Sequence, residues 1–383
     1  MQASRRSSIS SDRTKSLDGL RGFAAAIVVL YHSIIGPNER VVPEILYRSL
    51  QDQHTTYTVA LKVALALLNG ELAVATFFVI SGIVLFRTAR HLLTRDGGLH
   101  MGWTFALRRF LRIWPVLAVY LTAHWTLFAI IGQRWPGVLA TFTWQDLTDN
   151  LLLVRFQVNG ATWTLLWELI ATPIIVLTVM VGARFGRLAV PVSAFLLLLA
   201  LSKFLPHGIY SPDMLGSMPF LATGMIIECG WFHPLTVSAW RSVVTAVAAL
   251  ILFISMLLIA PASHWLWHYL FILLTLPLLV AMAATTRGGF LLARPSQLLG
   301  RLSFSLYLWN VPVFEMLFAM LDPAEVHAHP LEYGLLGGLA SILLSLPLAL
   351  LSERTLERPA IAIGRVLTRS RHFAKNVQSV SAR

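Results

Sequence analysis

Runs of roughly 20 apolar residues recur along the chain, separated by short breaks carrying charge or Pro, Gly and Asn. They predict ten membrane-spanning helices, over about 17–36, 69–87, 110–132, 161–182, 188–206, 214–231, 241–260, 265–286, 302–321 and 333–352. A chain in lipid must satisfy its own backbone hydrogen bonds, so only helices and closed barrels cross a bilayer. The alternating period of barrel strands is absent, and the expected fold class is an all-α, polytopic integral membrane protein.

Composition sharpens this picture. Of 383 residues, 56% are hydrophobic and 13% charged, and the mean hydropathy is +0.70. The net charge of +12 is explained by topology. With the N-terminus in the cytoplasm, 24 of the 30 Lys and Arg residues fall on cytoplasmic segments, as the retention of positive residues requires. The expectation is therefore N-in and C-in, with membrane lipid as surroundings and no need of a nucleic-acid partner. Residues 1–15 are polar and basic and the first apolar run is long, so an uncleaved anchor is expected. The domain reading is a basic cytoplasmic tail over 1–15, one membrane domain over 16–359, and a second basic tail over 360–383, both tails drawn to anionic lipid. The outer loop 37–57 is too short for a core of its own. Cys229 is the sole cysteine, which excludes an internal disulfide and a thiolate metal cluster.

Polar residues inside spans are costly and ask for a reason. In "SLDGLRGFAAAIVVLYHS" (16–33), Arg21 and His32 lie eleven residues apart, three helical turns plus about 20° and a rise of ~16 Å, so they share a face. One reading is a long ligand with its anionic head at Arg21 and its reactive tip at His32. The other is a snorkelling arginine and a packing histidine. In "RRFLRIWP" (108–115), Arg109 and Arg112 at i, i+3 could grip phosphates bidentately, although positive-inside retention gives the same residues.

"LDGLRGFAAAIVVLYH" (17–32) resembles the first-helix signature of the acyltransferase-3 family. These are integral-membrane enzymes that acylate bacterial surface glycans, lipid-linked glycans and some secondary metabolites. The family's Arg, ten residues, His falls on Arg21 and His32, and its Arg-x-x-Arg on Arg109 and Arg112. "FFVISG" (77–82), "TWTLLWE" (162–168), "RLSFSLYLWNVPV" (301–313) and "ERP" (357–359) follow in family order. Three positions depart: Ala75 where an acid is common, Asn310 where the late helix has His, and Trp-Thr-Leu for Trp-Ser-Leu.

The resemblance implies transfer of an acyl group, acetyl in the simplest case, from cytoplasmic acyl-CoA to a hydroxyl of a glycan, glycolipid or similar acceptor. It implies a multi-pass protein of the bacterial inner membrane. Arg21, Arg109 and Arg112 would bind the CoA phosphates, and His32 would be the general base. An acyl-histidine is the variant mechanism. Glu168 orients His32, binds acceptor hydroxyls or pairs with an arginine, the last being a purely structural role. Tyr307 and Asn310, at i, i+3, line the acceptor cavity or serve as belt and interhelical hydrogen-bonding residues. His124, in the third span, is expected to pack. His264 and His268 have a spacing zinc can use but lack a third ligand, and no metal is expected. The rival class is a proton-coupled transporter or flippase using His32 and Glu168. It leaves the stacked arginines and the order of the motifs unexplained.

Overall fold

A computed structural model describes residues 2–38, 41–131, 142–156, 158–204, 217–237, 239–259, 261–286 and 289–368. Among these the fold is helical, with no strand. The helices used below are α1 (Gln2–Ile35), α2 (Thr56–Leu67), α3 (Gly70–Asp96), α4 (Gly98–Ile131), α5 (Trp144–Leu151), α6 (Trp163–Phe185) and α7 (Ala189–Phe204). They continue with α8 (Met218–Glu228), α9 (Arg241–Leu258), α10 (Pro261–Ala284), α11 (Arg294–Ala319), α12 (Pro330–Ser352) and α13 (Arg358–Leu367). Among the described residues, eight helical stretches are long and apolar enough to cross a membrane. Two shorter apolar helices, Ala189–Ala200 and Met218–Glu228, stand at the fifth and sixth expected spans. Residues 205–216, where those spans end and begin, lie outside the described residues, as do 369–383 of the expected C-terminal tail.

Several elements run past the apolar stretches that announce them. α3 continues to Asp96 and α4 begins at Gly98, whereas apolarity predicts an inner loop over 88–109. Charge at a membrane surface does not end a helix; the turn at Gly97, with φ of +78°, does. Residues 56–67, left between spans by the sequence reading, form α2, separated from α3 by Asn69, whose side chain accepts from the Leu72 amide as an N-cap. The helix of α1 extends back to Gln2.

α1 packs against α3, α11 and α12. A membrane offers little hydrophobic force between helices, so close packing of small residues has to do the work. A Cβ on Gly22 would meet the Gly300 backbone nitrogen and lie 2.7 Å from Ser296 O, and one on Gly300 would meet Asp18 O. Near the other end of α1, Gly36 faces the Phe314 ring. α1 and α11 therefore run in the same direction with fixed register, which puts His32 roughly level with Asn310. α12 returns antiparallel, with Gly334 on Ile34 and Gly338 on Ser33. The α3–α8 crossing uses the same device at Gly82 and Gly224.

Candidate active site

Two adjoining cavities lie along α1. The smaller, of about 50 Å³, is lined by Arg21 of α1, Phe77 of α3, Thr164 and Glu168 of α6, and Ser303 and Tyr307 of α11. The larger, of about 1050 Å³, contains His32 and Asn310 on its wall. Val74 and Tyr307 line both. The segments singled out in the sequence at 77–82, 162–168 and 301–313 thus meet around Arg21, although up to some 280 residues separate them in the chain.

At the Arg21 end the charges are mutually committed. The Arg109 Nη2 donates to the Glu168 carbonyl at 2.7 Å and approaches its Oε2 at 3.3 Å, while Nε donates to Thr172 Oγ1 at 3.1 Å. Its guanidinium also lies 5.9 Å from the Phe105 ring centroid. Ser81 Oγ donates to the other Glu168 oxygen at 3.1 Å. Arg112 reaches toward Glu357 Oε1 at 3.9 Å and keeps a side chain 38% exposed. Arg21 stands within electrostatic reach of Arg112, Glu168, Glu357 and Asp18. Three guanidiniums are therefore gathered at one end of the fold. Arg109 is bound up by Glu168, Arg112 is partly exposed beside Glu357, and Arg21 lines the smaller cavity. Glu168 thus pairs with Arg109 while also lining the smaller cavity.

His32 is placed differently. It is exposed to the large cavity, its ring edge-on to Tyr31 at 5.5 Å, and among the described residues no side chain bonds its imidazole. Eleven residues of α1, a rise of ~16 Å, separate it from the arginine end, so Glu168 is not its partner here. The Tyr307 hydroxyl donates to Ala161 O at 2.6 Å and lies 3.1 Å from Thr164 Oγ1, which fixes the ring between the two cavities. Asn310, one turn on, spends both amide hydrogens on the carbonyls of Leu306 and Tyr307, at 2.7 and 2.8 Å, leaving its Oδ1 as an acceptor.

The expected packing role of His124 is only part of what it does. It is fully buried, its ring edge-on to Phe128 at 4.6 Å. Both ring nitrogens are also used: Nδ1 lies 2.9 Å from the Tyr120 hydroxyl and Nε2 lies 3.1 Å from Glu315 Oε2. Glu315 lines the large cavity and was passed over in the sequence reading, as was Glu71 at the start of α3. The signal that finds Glu315 is simple: a carboxylate inside the apolar run 302–321.

His264 stands at a kink in α10, with φ −133° and ψ 38°, so it and His268 do not share a regular helical face. Among the described residues no three His, Cys, Asp or Glu side chains gather as a metal site. Cys229 is half-buried just beyond α8, where Glu228 pairs with Arg87 at 2.8 Å.

The profile of the acyltransferase-3 family, described as an acyltransferase domain, matches residues 14–350. No curated protein and no solved structure matches the chain significantly.

Proposed function

The chain belongs to the acyltransferase-3 family and is a membrane acyltransferase, and from that premise we propose that it carries an acyl group, acetyl in the simplest case, from cytoplasmic acyl-CoA to a hydroxyl of a glycan, glycolipid or similar acceptor in the large cavity. The observation that carries the reading is the wall the two cavities share at Val74 and Tyr307, which sets Arg21 on one side of it and His32 on the other. The ~16 Å rise between Arg21 and His32 suits an extended thioester arm. Its phosphates lie with Arg21 and Arg112, whose nearby acids leave room for further acceptors on the guanidiniums. Arg109 adds positive field while holding Glu168 in place.

In the transfer step the His32 imidazole takes the proton of the acceptor hydroxyl as its oxygen bonds to the thioester carbonyl carbon. The carbon–sulfur bond then breaks, and the departing CoA sulfur recovers the proton from the imidazolium. An imidazole held by no internal hydrogen bond can turn between these two tasks. Asn310 and Tyr307 line the route at the same level. A membrane location with the arginine end in the cytoplasm completes the reading, placing the protein in the bacterial inner membrane.

The test is transfer of labelled acetyl from acetyl-CoA by purified protein in lipid nanodiscs, normalised to donor binding. His32→Ala is expected to insert and bind donor while losing transfer by about 10²–10⁴-fold. His32→Ala with near-normal transfer would overturn the mechanism.

A further inference from the structure

Tyr120, His124, Asn159 and Glu315 form a chain of hydrogen bonds that begins in the protein interior and ends on the cavity wall. The direction of each bond can be worked out. Asn159 Oδ1 accepts from the Ala161 amide at 2.8 Å, so its Nδ2 is the group that donates to the Tyr120 oxygen at 2.7 Å. The Tyr120 proton is then directed to His124 Nδ1, and the Nε2 proton to Glu315 Oε2. In this arrangement every proton of the network has an acceptor. The network orients the Glu315 carboxylate at the cavity wall.

Among the described residues no lysine or arginine lines the cavity, whose wall carries His32 and a second carboxylate, Glu71, besides Glu315. Eight Phe, Tyr and Trp side chains line it, Tyr47, Trp163, Trp265, Tyr269 and Phe314 among them, and Glu315 keeps a side chain 33% exposed. A neutral polyol needs only dipolar partners, and the Asn310 Oδ1 left over by that residue's amide bonds is one. A carboxylate anchored at membrane depth, with no lysine or arginine on the same cavity wall, favours a positively charged ligand. Aromatic walls attract the same kind of group through their ring faces.

We propose that Glu315, held in place by His124, is the specificity-determining residue of the acceptor side, and that the acceptor is a hydroxyl-bearing molecule carrying a protonated amine. This rests on the reading of the large cavity as the acceptor chamber. Ester formation is unchanged: the amine pairs with Glu315 while a hydroxyl of the same molecule is delivered to His32.

The experiment splits extracted small molecules and surface glycans of the source cells on a cation-exchange resin. Each fraction is incubated with the full-length protein in nanodiscs and labelled acetyl-CoA, and hydroxylamine-labile label is counted. The readout is the ratio of initial rates for the retained and unretained fractions. The wild-type chain is expected to label the retained fraction. Glu315→Gln, which keeps a hydrogen-bond acceptor for His124 but loses the charge, is expected to lower the ratio about 10- to 100-fold at unchanged CoA affinity. Glu315→Asp preserves most of the preference. His124→Gln lowers the ratio too, an effect that loss of mere packing would not produce while donor affinity is intact. Label entering chiefly the unretained fraction, or a ratio unmoved by Glu315→Gln, overturns the inference and leaves acyl transfer standing. Absence of label in both fractions despite bound donor instead overturns the acyl-transfer reading, and the inference with it.

Discussion

Replacing Arg109 by Met tests whether the arginine end is a structural pair, a donor site or both. Arg109 is 7% exposed, and its Nη2 is 3.3 Å from a Glu168 carboxylate whose side chain is 25% exposed. At that separation, an effective dielectric of about 20 gives ~5 kcal/mol of gross attraction. Partial solvation of Glu168 and its remaining bond from Ser81 reduce what the pair contributes, to a coupling of roughly 2–3 kcal/mol. Arg109→Met leaves Glu168 without its closest cation and is expected to destabilise by about 3–5 kcal/mol. Adding Glu168→Gln should recover about 2 kcal/mol of that. The recovery is incomplete because the bonds from Arg109 to the Glu168 carbonyl and to Thr172 Oγ1 do not depend on the carboxylate. The assay is reversible SDS unfolding in mixed micelles for the four members of the cycle, with CoA affinity measured in parallel. Single and double effects that add within about 0.5 kcal/mol would refute the pairing argument. A Glu168→Gln protein that binds CoA no less tightly than the wild type would show that the carboxylate restrains Arg109 rather than serving the donor.

Arg112→Lys should weaken CoA binding in part and Arg112→Ala strongly, since lysine keeps the charge and loses the fork; titration calorimetry in nanodiscs checks this, and unchanged affinity in the alanine variant counts against the donor site. Gly22→Ala places a methyl against the backbone of α11 around Gly300, and is expected to cost about 1–3 kcal/mol or more through overpacking, seen as a lowered melting temperature; a normal melt would mean that α1 and α11 do not cross here. In α5, hydrogen bonds from the Thr143 side chain and backbone hold the Asp146 carboxyl below its ordinary range. Its stabilising effect is thus fully present above the unfolded value near about 3.9 and lost as pH falls through the lower folded value, so protection of the α5 amides from exchange should drop below about pH 4. Thr143→Ala should abolish that step, and an unaltered profile in this variant would argue against the cap.

Different parts of this molecule were legible for different reasons. The spans show because bilayer thickness imposes a length on apolar runs, and the Arg21–His32 face shows because both residues belong to one helix of known pitch. Helix ends show poorly. Residues 88–96 and 98–109 are helical outside the apolar zone, and the sequence marks the real break only with Gly97. Pairings between helices are harder still. Arg109 and Glu168 lie 59 residues apart, and His124 and Glu315 lie 191 apart; nothing in either local pattern names the partner. Glu315 itself was readable as an acid in an apolar run. Its neighbours Tyr307 and Asn310 drew notice because they sit in a recognisable motif, whereas Glu315 lies just beyond that motif's end.

The ring of Tyr307, anchored by its hydroxyl to Ala161 O, is a partition about one side chain thick between the two cavities. On the proposed reading, reactants from opposite compartments meet at this partition while the bulk solutions do not. A continuous water column past His32 would let protons run down their gradient with every turnover, and the cell would lose stored energy faster than one ester bond is made. The Tyr307 ring, pinned by its hydroxyl at Ala161 and Thr164, stands where such a column would have to pass.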